Sequence, residues 1–151
     1  MGRRSRGDAF RTGAVILVDT SVWIDFFAGR DLPHVAALEQ FILENENLAL
    51  CGIILTEILQ GIADDAAYRR VRRHLSPLIV LPIPENVFVR AADIYRELRK
   101  KGITIRKSND CIIAATALEH HCRLLHNDKD FLPITNYSQS TPPTAYPIRI
   151  R

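Results

Sequence analysis

The sequence predicts an α/β fold, a three-layer α/β/α sandwich with helices on both faces of a mostly parallel central sheet. Two observations predict it. Short apolar runs alternate with pairs of helical segments in the order β-α-α-β-α-α-β-α-α-β. Strands separated by helical crossovers pair in parallel. Acidic residues also stand at the edges of the apolar runs: Asp19, Glu57, Asp110 and Asp128. Parallel sheets gather ligands outside the carboxyl ends of their strands.

The first run, AVILV, is β-branched and short, as a fully buried strand is, and Asp19 ends it. Thr20 or Ser21 is positioned to cap the helix VWIDFFAG, which Gly29 closes. Pro33 opens a second helix, HVAALEQFILENEN, with Val35, Leu38, Phe41 and Ile42 at helical spacing. LALCGIIL reads as the second strand. Thr56 then reads as the cap of the next helix, with Glu57 in its first turn and Gly61 as its breaker. DDAAYRRVRRHL is a further helix and PLIVLPI a third strand. Pro84 starts ENVFVRAADIYRELRKKG, whose Val87, Ala91, Ile94 and Leu98 share one face, and Gly102 stops it. Ser108 reads as the cap of NDCIIAATALEHH, with Asp110 in its first turn. RLLHND is the fourth strand, and YPIRI in the proline-rich tail is an edge-strand candidate. Asp19 and Asp128 thus follow strands, whereas Glu57 and Asp110 begin helices, and those are the same end of such a fold.

At 151 residues the chain is long enough for one domain with a full core. No apolar run approaches the roughly 18 residues that span a bilayer. The start, MGRRSRGDAFRTG, is basic and has neither an apolar signal core nor a small-residue cleavage site. Arg3-Arg4 lacks the apolar segment that follows a twin-arginine signal. Cys51, Cys111 and Cys122 are odd in number, lie in apolar contexts and lack metal-ligand spacing, so reduced core thiols in a cytoplasmic protein are expected.

The net charge of +3 resides in residues 1–12, which carry four arginines against Asp8. The body is polarised. Residues 12–68 hold nine acids and one base, Arg30, while residues 69–107 hold eleven bases and three acids. An acidic half that binds metal beside a basic half that attracts phosphate suits an enzyme acting on nucleic acid, although solvated helix faces give the same asymmetry.

Charge beside core is rare unless it is paired, metal-bound or functional. Two carboxylates about 4 Å apart repel by roughly 4 kcal/mol at an effective dielectric of about 20. Four converging acids should therefore not all stay ionised without a cation or a basic neighbour, and they suggest a pocket of hard oxygen ligands for Mg²⁺ or Mn²⁺.

The pieces VDTSVWIDFF, LTEILQG, NDCIIAATAL and HNDKDF resemble the PIN-domain ribonucleases, and most closely the VapC-type toxins of bacterial and archaeal toxin–antitoxin pairs. The resemblance runs from about Val15 to Phe131. It implies a PIN-like fold over residues 14–151, behind an extension at 1–13 expected to be disordered. It implies that Asp19 and Asp110 are direct metal ligands, that Glu57 and Asp128 complete a catalytic quartet, and that Thr20 supports the site by hydrogen bonding. Asp130 is the alternative to Asp128, which is favoured because it follows the strand directly. The implied activity is Mg²⁺-dependent hydrolysis of RNA phosphodiesters, in tRNA or rRNA. The implied partners are a VapB-like antitoxin and a second copy of the chain, the homodimer using the helices near residues 21–45.

Other residues receive plainer readings. Asp25 is expected at the surface or as a partner within the first helix. Trp23, Phe26 and Phe27 suit core or interface better than base stacking. His120-His121 sit at a helix end, where the dipole favours histidine, with no second ligand pair nearby. Arg69, Arg70, Arg72 and Arg73 form a dense basic turn that is solvated, touches RNA or meets an acidic antitoxin segment. Arg106 and Lys107 precede the helix of Asp110 and are candidates for phosphate contact. The competing function is a PIN-fold module that binds RNA or protein without cleaving, which the intact acidic set disfavours. A haloacid-dehalogenase-like phosphatase wants a second Asp two residues after the first, and Asp19 is followed by Thr-Ser-Val. The chain also has no Gly-rich phosphate loop.

Overall fold

The computed structural model describes residues 15–127 and 131–134. The elements are β1 (Val15–Val18), α1 (Thr20–Phe27), α2 (Pro33–Leu43), β2 (Asn47–Cys51), α3 (Gly52–Gln60), α4 (Asp65–Leu75), β3 (Ile79–Leu81), α5 (Glu85–Lys100), α6 (Ser108–Glu119) and β4 (Arg123–Leu125). Their order is the one expected. The strands form one sheet in the order β3-β2-β1-β4, with every pairing parallel. The expected extension at 1–13, the edge strand YPIRI, Asp128 and Asp130 lie outside the described residues.

β1 is the centre of the fold. All four of its side chains are buried, and a fully buried aliphatic side chain stabilises by roughly 1.5–3 kcal/mol. It pairs with β2 on one side and β4 on the other. The chain steps from β1 to β2 to β3 in one direction, then returns to place β4 on β1's free edge. The order therefore reverses beside β1, and crevices for ligands open at such switch points. The amide of Asp19 donates to the carbonyl of Leu125 at 2.9 Å and ties the ends of β1 and β4 together there.

α6 is the most enclosed helix. Ile113, Ala114, Ala115, Thr116 and Ala117 are all fully buried, and three alanines allow neighbours to approach closely. α5 packs along it and buries the expected face, Val87, Ala91, Ile94 and Leu98. Trp23 belongs to the core, while Phe26 and Phe27 pack partly buried against it. No helix among the described residues is long and apolar enough to cross a membrane.

Five local expectations are corrected. Asp19, not Thr20 or Ser21, caps α1: its backbone is extended and its carboxylate accepts from the Ser21 amide. β2 ends at Cys51, and GIIL belongs to α3. Thr56 is inside that helix, its hydroxyl donating to the Gly52 carbonyl at 2.8 Å, so Glu57 lies in mid-helix rather than in the first turn. Ser108 is the first residue of α6, after an N-cap Lys107 that makes no side-chain capping bond. Ile42, expected on the buried face of α2, is 44% exposed.

Candidate active site

Asp19 reaches the switch point because β1 ends there. An acidic N-cap satisfies open amides of α1 and sits at the positive end of its dipole. Its carboxylate is only 5% exposed. The Ser21 hydroxyl donates to Asp19 Oδ2 at 2.9 Å, and the Ser21 amide reaches the same oxygen at 3.4 Å. Next along α1, the Thr20 hydroxyl donates to Glu57 Oε1 at 3.3 Å. Thr20 and Ser21 thus each hold a different acid, and α1 is bound to α3 across the site.

Glu57 is half-buried on α3. Burial pushes its carboxyl above the ordinary glutamate value, and the charge of Asp19 pushes it further. The Thr20 hydrogen bond and the positive charge of Lys107 act the other way. Asp19 and Glu57 are therefore near enough to oppose each other's ionisation, and Lys107 flanks them as a compensating cation. Arg106, the other basic candidate here, is exposed and makes no ion pair or side-chain hydrogen bond among the described residues.

Asp110 occupies the first turn of α6 and is 5% exposed. α6 leads into parallel β4 and so runs against the strands, which puts its N-terminus at their carboxyl end, where Asp19 lies. α3 and α6 pack on each other. Asp110 also helps push the neighbouring Cys111 thiol up to about 11, after burial. Cys111 is therefore a neutral core thiol, as is Cys122, which burial raises to about 12. All three cysteines are free and buried. Asp128 and Asp130, the two candidates for the fourth acid, lie outside the described residues.

Among the described residues no three His, Cys, Asp or Glu side chains gather closely enough to hold a metal ion by themselves. The donor set nonetheless fits a hard divalent cation. Mg²⁺ keeps several waters and takes one or two carboxylates together with substrate phosphate oxygens. Carboxylates that raise one another's pKa are relieved by such an ion.

Asp25, expected at the surface or as a partner within the first helix, is instead buried, and its partners lie beyond α1: it accepts from His34 Nε2 at 2.6 Å and from the Arg30 guanidinium. His120 also has a structural role, its Nε2 lying 2.8 Å from the Pro82 carbonyl. Ser21 is the site residue that the sequence reading passed over except as a cap. Its signal was a hydroxyl two residues after the acid, the spacing of a side chain that turns back onto its neighbour.

Comparison with known proteins identifies the family. The profile of the PIN domain family matches residues 16–135. The chain is 40% identical over 121 residues to ribonuclease VapC11 of Mycobacterium tuberculosis, covering 78% of this chain and 89% of that one. It is 31% identical over 103 residues to ribonuclease VapC1 of Methanocaldococcus jannaschii, covering 68% of each. Among solved structures, a toxin–antitoxin complex from Klebsiella pneumoniae superposes with a TM-score of 0.63 at 28% identity, covering 78% of this chain and 90% of that one.

Proposed function

The chain belongs to the PIN-domain family and to its VapC-type ribonucleases, and from that premise we propose that it is a metal-dependent endoribonuclease, the toxin of a toxin–antitoxin pair. The observation that carries the proposal is the mutually opposed pair Asp19 and Glu57, each held by its own hydroxyl donor, at the switch point of a parallel sheet. The proposed catalytic acids are Asp19, Glu57 and Asp110, with Asp128, or Asp130 in its place, as the fourth.

Asp19 and Asp110 would hold Mg²⁺ or Mn²⁺, with Glu57 and the fourth acid holding a weaker second ion or orienting the water. Bound there, the metal supplies phosphoryl polarisation and a more acidic water. The chain's own residues do the rest. Ser21 fixes the rotamer of Asp19 through Oδ2. Thr20 engages Oε1 of Glu57, leaving Oε2 to orient the attacking water and take its proton. Burial and the charge of Asp19 make Glu57 a stronger base than an exposed glutamate, as a general base near neutral pH requires. Water adds to phosphorus, the bond from phosphorus to the leaving ribose oxygen breaks, and that oxygen takes up a proton from solvent water. Lys107 and Arg106 lie on the approach to Asp110, where phosphates would pass.

The partner is a VapB-like antitoxin. A groove of about 270 Å³ between α1, α3 and α4, lined by Ile24, Phe27, Ile58, Ile62 and Arg70, suits an amphipathic acidic segment. α1, α2 and the residue that precedes α2 also expose Ile24, Leu32, Ile42 and Leu43, the last 80% exposed, which supports a homodimer through residues 21–45. Sedimentation of Leu43→Glu should show monomer, and an unchanged dimer would place the interface elsewhere.

The function is tested by incubating purified antitoxin-free protein with total RNA and Mg²⁺ or Mn²⁺, beside Asp19→Asn and a chelator control. A few discrete fragments, absent from both controls, are expected. Intact RNA with wild-type protein would favour the non-cleaving binding module.

A further inference from the structure

We propose that α4 carries a second RNA-contact surface, an arginine stripe of Arg69, Arg72 and Arg73 that grips the phosphate backbone outside the cleft of carboxylates. The inference rests on the reading that RNA is the substrate.

Helical geometry makes the stripe. α4 buries Val71 and Leu75, and residues three and four apart share a face. Arg69, Arg72 and Arg73 therefore point away from the core together, exposed, and with Ala66 and Ser76 they line an open groove of about 510 Å³. Arg70 faces the separate apolar groove described above. None of the four arginines makes an ion pair or a side-chain hydrogen bond among the described residues. The helix's acids stand at its start: Asp64 caps it by accepting from the Ala67 amide at 2.7 Å, and Asp65 occupies the first turn. Like charges at this spacing repel, and a polyanion relieves them. A guanidinium fork also matches a phosphate in two parallel hydrogen bonds.

The stripe is carried by a helix adjacent to those that build the cleft. α4 packs on α3, which carries Glu57, and the His74 ring of α4 lies 6.1 Å from the Phe27 ring of α1. A cleft of carboxylates repels RNA, so affinity for the polyanion has to come from cationic surface beside it. An acidic peptide is the weaker candidate. Peptide hot spots are desolvated apolar pockets, and among the described residues this groove offers, apart from the arginines, Ala66 and Ser76.

The test measures affinity of the Asp19→Asn protein for a labelled single-stranded RNA of mixed sequence over a salt series, with and without Arg69→Gln, Arg72→Gln and Arg73→Gln together. Each lost phosphate contact flattens the slope of log affinity against log salt by roughly 0.7, so the triple variant should flatten it by about 2. Affinity should fall at least about tenfold, equally for unrelated sequences. Three lysines in the same places should retain most of the slope. If the triple variant misfolds, single replacements, each expected to flatten the slope by roughly 0.7, give the same test. An unchanged slope and affinity, in a protein whose wild type cleaves RNA, would overturn the stripe and leave the ribonuclease reading intact. Unchanged RNA binding with weakened antitoxin binding would make it a protein-docking face and also overturn the proposal. RNA neither bound by Asp19→Asn nor cleaved by wild type would remove both readings.

Discussion

Asp19 and Asp25 stand six residues apart on one short stretch of chain, both almost fully buried, and their surroundings oppose each other. Asp25 is neutralised. His34 and then Arg30 hold its carboxyl below the ordinary value of 3.8, against the opposing effect of burial. Asp19 instead faces Glu57, and raises it. Hydroxyls orient these two acids without cancelling their charge. A buried carboxylate given its own hydrogen-bond donors ties elements together, here α1 to α2. A facing pair whose charges oppose each other favours the binding of a further cation.

The largest effect should come from breaking the second kind. Asp19→Asn should lower kcat/KM by at least about 10³-fold, since several kcal/mol of charge stabilisation depend on it and each 1.36 kcal/mol is a factor of ten. Without metal the variant should melt at or above the wild-type temperature, because a repulsion is relieved. A steady-state assay and a metal-free melt check both, and a metal-free Asp19→Asn protein several degrees less stable would make Asp19 structural.

Metal sharpens the contrast. Mg²⁺ at a hundred times its Kd should stabilise wild type by about 2.7 kcal/mol. Asp25→Asn should keep that gain and Asp19→Asn should lose most of it, as read from melts with and without metal. Equal gains in both variants would place the ion away from Asp19.

Asp25→Asn should cost roughly 1–3 kcal/mol at neutral pH by leaving His34 and Arg30 unanswered, with kcat within a few-fold of wild type. The pH dependence follows from the depressed pKa. Asp25's contribution is fully present above the unfolded value of 3.8 and is lost as pH falls through the lower folded value. Denaturation curves of wild type and variant should therefore converge in acid below that value, and a gap that stays constant to low pH would exclude ionised Asp25 as its source.

These differences explain what could be read without coordinates. β1 and Asp19 were legible because a β-branched run ending in an acid has few other meanings. The first-turn place of Asp110 was legible for a similar reason. α3 was misread at its start because Ile53, Ile54 and Leu55 continue the apolar run of β2. No side chain caps the helix, so neither propensity nor capping marks Gly52 as its beginning. Asp25 was illegible for a geometric reason. Its partners follow a turn at Gly29, whose φ of +68° swings the chain round so that the Arg30 amide donates back to the Asp25 carbonyl at 3.1 Å. Spacing along one helix cannot reveal a pairing made by the next.

The smallest and most specific effect concerns the hydroxyl between the two helices. Thr20→Val keeps shape but removes the donor to Glu57, at a cost of roughly 0.5–1.5 kcal/mol. That bond favours the charged carboxylate and holds Glu57 down against burial and Asp19. Without it Glu57 should take its proton at higher pH, and the acidic limb of the kcat/KM profile should move upward while the basic limb stays. Ser21→Ala acts on Asp19 instead, so it should weaken metal binding without moving that limb. If both variants shift the limb alike, the two hydroxyls do not serve separate acids, and α1 contributes a single shared hydrogen-bonding edge to the site.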